Sequence, residues 1–243
     1  LFDILKNQKF DARLTGNIGN PILSEKKITS KTIFVIEVSS YQIEYSKKFK
    51  ANYALILNIS PDHLERHGTF INYVKSKFKL FSNQTKQDYS FFDIKNKNLK
   101  KEIKKSKIYS QIIKVDTKSI NKHIRRIKNP YFLTKGHQNN LAFIFAITKK
   151  FRLKKTNLFK VINNFKGLKY RQQIIYQSKE LTLINDSKAT SYSSSINILK
   201  SLKKVYWIVG GVPKLGDKFL MSKNQCFNFK AYIFGKNKNF FIK

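Results

Sequence analysis

The sequence predicts an α/β protein: a mostly parallel sheet with flanking helices, followed by part of a second, smaller α/β domain. Three observations carry this expectation. TIFVIEVSSYQIEYS and NYALILNISPDHLERHG each run from continuous apolar residues into polar ones, and such runs suit strands of a parallel sheet covered on both faces. Two helical patterns, HQNNLAFIFAITKKF and KTNLFKVINNF, follow and end before Gly167. Beyond Gly167 the alternation restarts with ELTLIND, SYSSSINILKSL and KVYWIVGG, the pattern of a further α/β unit.

Taken in order, LFDILKNQKF reads as a helix entered without a Ser, Thr or Asp cap, so the chain reads as cut ahead of Leu1. A strand over Ile33 to Val38 leads into a short helix, and a strand over Tyr53 to Ile59 repeats the scheme; the two are expected side by side in one sheet. Their carboxyl ends, Glu37-Val38-Ser39-Ser40 and Asn58 to His63, lie where ligands gather in open parallel sheets. Thr69 to Phe81 is helical by pattern. Residues 83 to 135 are Lys-rich with short strand-like pieces, YSFFDI and KIYSQIIKV, to which no chemistry is assigned. Gly167 sets the expected boundary between domains 1–167 and 168–243. A last strand is expected over Ala231 to Gly235, and the polar strand ends at Asn185 to Thr190 and at Gly210-Gly211 are again candidate site positions.

Composition narrows the class. With 41% hydrophobic residues, 21 Phe and 12 Tyr in 243 residues, the chain lies outside the range that stays disordered. No apolar run is long enough to span a bilayer and no signal-peptide pattern is present, so a cytoplasmic protein without membrane association is expected. Cys226, the lone cysteine, cannot form an internal disulfide, and with four scattered histidines it makes no zinc cluster. The net charge of +35 would suit a nucleic-acid binder. The lysines, however, are spread along the chain beside abundant Asn, Ile and Phe, the signature of A/T-rich codons. No nucleic-acid partner is therefore expected, although a basic field still draws in anionic ligands.

In this order TGNIGNP, IEVSSYQIE, LNISPDHLERHGT, GLKYR, INDSKATS and the GGVPK turn resemble the Mur ligase family over nearly the whole chain. Each motif alone is weak, and INDSKAT points to the member that adds D-glutamate. The resemblance implies the family's central ATPase-type domain followed by part of a Rossmann-like C-terminal domain. It implies an enzyme that uses ATP to phosphorylate the carboxylate of UDP-N-acetylmuramoyl-L-alanine, after which the amine of D-glutamate displaces phosphate from the acyl phosphate. A monomer is expected.

That chemistry needs two Mg²⁺ ions held by hard oxygen ligands. The resemblance assigns Glu37, His63 and Lys77 to them, with Lys77 carbamylated by CO₂ to become an anionic ligand, and Lys77, His63 and Lys188 as catalytic residues. Carbamylation needs a neutral amine, which burial favours. Alternatives stand beside each assignment: Glu37 as a carboxylate at a helix N-terminus, His63 as a surface histidine, and Lys77 as one of a solvated row with Lys75 and Lys79. Residues two apart on a helix point about 200° apart, so Lys77 facing inward places its two neighbours outside.

Asn17 and Ser39 match residues that contact the muramoyl-alanine substrate, with turn geometry and helix capping as the competing readings. Asn140 matches an adenine contact, but GHQNN is one residue short of the family spacing, so the upstream Asn is missing or replaced by His137 or Gln138. Arg171 matches an arginine directed at ATP phosphates, Asp186 a ribose contact, and Lys188 a lysine near the transferred phosphoryl group. Thr190 and Lys214 match receivers of the D-glutamate carboxylates, while Val212 stands where relatives carry an acidic residue. The family's Gly-rich phosphate loop is not in this sequence, and Lys243 falls before a Ser and a Phe expected on the D-glutamate side, so a fragment inactive by itself is expected. Another Mur or folylpolyglutamate-type ligase, or a basic nucleic-acid-binding module, is the alternative.

Overall fold

A computed structural model describes residues 1–214 and 217–242. The elements run α1 (Phe2–Asn7), β1 (Ala12–Gly16), β2 (Ile33–Glu37), α2 (Ser40–Tyr45), β3 (Tyr53–Ile56), α3 (Leu64–His67), α4 (Phe70–Phe78), β4 (Tyr89–Asp93), α5 (Lys97–Lys105) and β5 (Gln111–Val115). They continue with α6 (Lys135–Thr148), α7 (Lys155–Asn164), β6 (Gln173–Gln177), β7 (Thr182–Asn185), α8 (Tyr192–Leu199), β8 (Val205–Gly210), β9 (Phe229–Phe234) and α9 (Lys238–Ile242). The chain divides into two compact units: Leu1–Ile59 with Ile71–Asn129 and Asn139–Phe165, and Ser60–Phe70 with Pro130–Gln138 and Lys166–Lys243. Among the described residues, no helix is long and apolar enough to cross a membrane.

The first unit carries two parallel ladders, β1–β2 and β3–β4–β5. Its centre is β4, whose Ser90, Phe91 and Phe92 are all buried, as a strand covered on both faces requires. Phe81 packs on Phe92 with ring centroids 4.9 Å apart, and Phe78 joins both. One buried amide ties the strand starts together: Gln84 Oε1 accepts from Ser90 and Ser110 at 2.6 and 2.8 Å, and its Nε2 donates to the Ala51 carbonyl at 2.7 Å. Such a fully satisfied polar knot sets strand placement without leaving orphaned groups. At the outer face Gln8 and Lys154 exchange hydrogen bonds between the end of α1 and the start of α7.

Four details differ from the sequence expectations. Ile33–Glu37 pairs with Ala12–Gly16, and Tyr53–Ile56 pairs with Tyr89–Asp93, so the strands leading to Glu37 and His63 are not ladder neighbours among the described residues. The ARLTG strand that takes the place beside β2 has Arg and Gly where strand patterns call for apolar residues, and so went unread. The strand from Tyr53 stops at Ile56, whose ladder partner is Phe92. The Lys-rich stretch hides the helix α5, capped by the Asn96 side chain on the Leu99 amide; its single buried residue, Leu99, gives too little apolar periodicity to be recognised.

The second unit holds an antiparallel pair, β6–β7, and a parallel pair, β8–β9. Tyr192, Trp207, Phe219, Phe240 and Phe241 form a partly exposed aromatic cluster, with centroids 5.3 to 6.0 Å from Tyr192. The parallel sheets and flanking helices agree with the predicted α/β class.

In β1, Thr15 is 0% exposed and its hydroxyl has no hydrogen-bond partner. An unsatisfied buried hydroxyl destabilises, so Thr15→Val, of the same shape, is expected to lose nothing and to gain up to about 1 kcal/mol. Urea denaturation of both proteins checks this; a clear loss would mean that the hydroxyl has a task.

Candidate functional site

Each unit presents a polar strand end. In the first, Gly16 closes β1 with φ of 99°, and an added Cβ would lie 2.2 Å from the Glu37 carbonyl oxygen. Only glycine allows this approach, and it brings the Asn17 amide to the same carbonyl at 2.9 Å. The GNIG turn therefore sits against the end of β2 and presents Asn17, exposed, beside Glu37. Glu37 itself is half-buried, and its Oε2 is buried with no hydrogen-bond partner.

Ser39 acts as a helix cap. Its Oγ accepts the Gln42 amide at 3.3 Å while Gln42 Oε1 accepts the Ser39 amide at 2.9 Å, a capping box that starts α2. On α4, the buried Ser76 hydroxyl donates to the Ser40 carbonyl at 3.1 Å, which anchors that helix to the chain just beyond β2. The next residue, Lys77, is half-buried with Nζ 5.1 Å from the Tyr73 ring centre, whereas Lys75 and Lys79 are exposed.

His63 belongs to the second unit. It has φ of 55° at the start of α3, with Nε2 3.5 Å from Asp62 and Nδ1 3.4 Å from Glu65. Lys214, from the turn after β8, donates to Asp62 Oδ1 at 2.5 Å. Among the described residues, no group of three or more His, Cys, Asp or Glu side chains could hold a metal ion.

A separate cluster gathers His137, Tyr131, Arg171 and Asp186. His137 stacks on Tyr131 with centroids 3.9 Å apart, and its Nδ1 lies 2.5 Å from the Tyr131 carbonyl. A carbonyl only accepts, so this contact places a proton on Nδ1, and in the neutral ring Nε2 then keeps its lone pair. Burial pulls the imidazole below its ordinary value, opposed by this hydrogen bond and by the Asp186 charge. Burial also raises the Asp186 carboxyl. The Gln172 amide at 3.1 Å, the Ser195 hydroxyl at 3.2 Å, and the charges of His137 and Arg171 pull the other way. Tyr170 and Gln172, flanking Arg171, both take left-handed backbone conformations, with φ of 65° and 46°, and the Lys188 amide donates to the Tyr170 carbonyl at 3.0 Å. Left-handed non-glycine residues cost energy and concentrate at functional loops. The Lys188 and Thr190 side chains are exposed, and Asn140 is half-buried on α6 next to Asn139, whose side-chain oxygen is buried without a partner.

Asp62 and Tyr131 were not singled out from sequence. Asp62 stood inside a quoted motif, and its signal was the acidic residue directly before His63. Tyr131 lies in a stretch without any pattern.

Residues 11–165 match the model of the Mur ligase middle domain. The chain belongs to the Mur ligase family. Among its curated Mur ligase relatives is the UDP-N-acetylmuramoylalanine–D-glutamate ligase of Rickettsia felis, 32% identical over 99% of this chain and 57% of that protein. The protein of the same name from Rickettsia prowazekii is 31% identical over 98% of this chain and 57% of its own length. The chain thus spans little more than half the length of these relatives. In fold it resembles a MurF ligase from Thermotoga maritima solved with ADP, at a TM-score of 0.71 and 13% identity over 100% of this chain and 65% of that one. The UDP-N-acetylmuramate-alanine ligase MurC of the same organism follows at 0.54, with 15% identity over 98% and 65%.

The raised Asp186 carboxyl has a pH consequence for this chain. The folded state binds that proton more tightly than the unfolded chain does, so the stabilisation is complete below the unfolded value of about 3.9 and is lost as pH rises through the folded value. Asp186→Asn, neutral throughout, is expected to melt above the wild type at pH 8, with the gap shrinking toward pH 4. Melting curves across that range check it; a gap independent of pH would count against a raised carboxyl.

Proposed function

We propose that this chain serves an ATP-dependent ligase that joins D-glutamate to UDP-N-acetylmuramoyl-L-alanine through an acyl phosphate in peptidoglycan synthesis. The observation that carries this reading is the match over 98–99% of the chain to curated relatives bearing that name. Residues 1–167 act as the central domain and 168–243 as the following ligase domain.

On this reading Arg171 and Lys188 face the ATP phosphates, where fixed cations stabilise charge that develops during phosphoryl transfer. Asp186 takes the ribose hydroxyls. Its oxygens already accept from Gln172 and Ser195, and each keeps a lone pair for a further donor. Asn140 faces the adenine. Asn17 and Ser39 lie toward the muramoyl-alanine substrate, Ser39 through whatever capacity its capping role leaves. Thr190 and Lys214 receive the carboxylates of D-glutamate. Leaving such partners empty penalises neutral amino acids.

Magnesium fits the first unit through Glu37. A buried carboxylate oxygen with no hydrogen-bond partner is costly unless a cation meets it, and oxygen is the ligand Mg²⁺ prefers. Lys77, half-buried and carbamylated, would be the further ligand there, and His63 is the family's histidine ligand on its own segment. When bound, the ions neutralise charge on the phosphoryl group.

The function is tested by supplying the full gene product with ATP, UDP-N-acetylmuramoyl-L-alanine and one amino acid at a time while following phosphate release. Turnover with D-glutamate alone is expected, falling about hundredfold in Lys77→Ala; preference for L-alanine or a diamino acid would overturn the assignment. The metal reading has a readout apart from turnover. MgCl₂ should raise the melting temperature of the wild type but not of Glu37→Gln, which should melt higher than the wild type when magnesium is absent. An equal magnesium response in both proteins would remove Glu37 from the ligands.

A further inference from the structure

One contact in the second unit has no part in the mechanism above. Lys214 Nζ donates to Asp62 Oδ1 at 2.5 Å, with the side chains 22% and 32% exposed. The carboxylate is braced from behind: Asp62 Oδ1 also accepts the His63 amide at 3.0 Å, and Oδ2 lies 3.5 Å from His63 Nε2. His63 holds a left-handed backbone there, so the carboxylate is set by main-chain geometry rather than by a free rotamer. Lys214 follows the Gly210-Gly211 turn, whose Gly211 carbonyl accepts from Asn237 at 3.2 Å. Two opposite charges, each mostly withdrawn from solvent, thus lie one hydrogen bond apart on two braced segments.

A partly exposed ion pair contributes little to stability, which leaves its arrangement as the informative feature. An α-amino acid carries a carboxylate and an ammonium on one carbon, at a separation close to that of the Asp62 and Lys214 heads and with the charges reversed. Lys214 has three donors and spends one on Asp62, while Asp62 Oδ2 lies 3.5 Å from His63 Nε2. We propose that Asp62 and Lys214 form a zwitterion clamp, in which Lys214 takes the α-carboxylate of the incoming amino acid and Asp62 takes its α-ammonium. This rests on the reading of Lys214 as a D-glutamate-side residue and adds Asp62 as the residue that orients the nucleophilic nitrogen. The clamp demands both groups on one carbon, so it discriminates against a dicarboxylate without the amine and against an amine without the α-carboxylate.

The experiment compares binding of D-glutamate, glutarate and 4-aminobutyrate to the full gene product by calorimetry in the presence of ATP. Glutarate lacks the ammonium and 4-aminobutyrate the α-carboxylate. A charge-assisted hydrogen bond is worth roughly tenfold or more in affinity, so the wild type should hold D-glutamate at least about tenfold tighter than either analogue. Asp62→Asn should bring D-glutamate and glutarate to nearly equal affinity, while Asp62→Glu recovers part of the preference. Lys214→Met should weaken D-glutamate and glutarate together and leave 4-aminobutyrate unchanged. ATP affinity and melting temperature report folding, and Asp62→Ser carries the same test should Asp62→Asn not fold. If Asp62→Asn keeps the full preference for D-glutamate over glutarate, the clamp is wrong and the ligase reading stands. If a different α-amino acid binds with the same dependence on Asp62, the clamp stands and the D-glutamate assignment falls. A wild type that binds no α-amino acid overturns both.

Discussion

The backbone of Gly16 approaches the Glu37 carbonyl so closely that any side chain there would collide with it, and the rest of the first strand end follows from that approach. Because φ is positive and the space is filled by a carbonyl oxygen, the turn after β1 can only fold back over the end of β2. The Asn17 amide is delivered to the same carbonyl. With its main-chain oxygen engaged, Glu37 holds its side chain half-buried, one carboxylate oxygen unpaired. The capping box at Ser39 then starts α2 immediately, and the Ser40 carbonyl receives Ser76 from α4. Lys77 is the residue of α4 next to this Ser76 contact.

The second unit is organised by electrostatics at partial burial. Asp186 and His137 are each driven toward their neutral forms by desolvation, yet each lies within range of the other, and Asp186 also within range of Arg171. Both ionisable groups are held in place by neutral donors and acceptors, Gln172, Ser195 and the Tyr131 carbonyl. Such a cluster is costly as pure structure and economical as a receptor for a polar ligand, because the ligand's hydroxyls or charges supply the missing partners. Lys214 and Asp62 show the contrasting solution, in which opposite charges satisfy one another until a ligand carries both signs.

Much of the fold was legible because burial on both faces leaves a strong sequence trace. The runs that became β2, β3 and β8 are nearly continuous apolar strings, and α6 and α7 show helical periodicity. What failed to show were elements stabilised otherwise. β1 is specified by Gly16 and its ladder to β2, and α5 by an Asn cap with one buried leucine. Ladder order was equally hidden: β3 pairs with β4 although the paired Tyr53 and Tyr89 stand 36 positions apart, and no local pattern encodes a partner at that distance. At the site, Arg171, Asp186 and Lys214 stood out by motif, whereas Tyr131 and Asp62 matter through whom they touch.

The amino-acid sequence by itself determined the α/β class, the main strands and helices, and, through the order of its motifs, the Mur ligase family. These are consequences of local periodicity, composition and residue identity, which need no third dimension. Only the tertiary structure decided that Ser39 caps a helix, that Glu37 keeps an unpaired buried oxygen, that His137 is fixed with its proton on Nδ1, and that Lys214 closes on Asp62. Each depends on burial or on a partner far away in the chain, 152 residues in the last case, and desolvation and hydrogen bonding act through space rather than along the sequence.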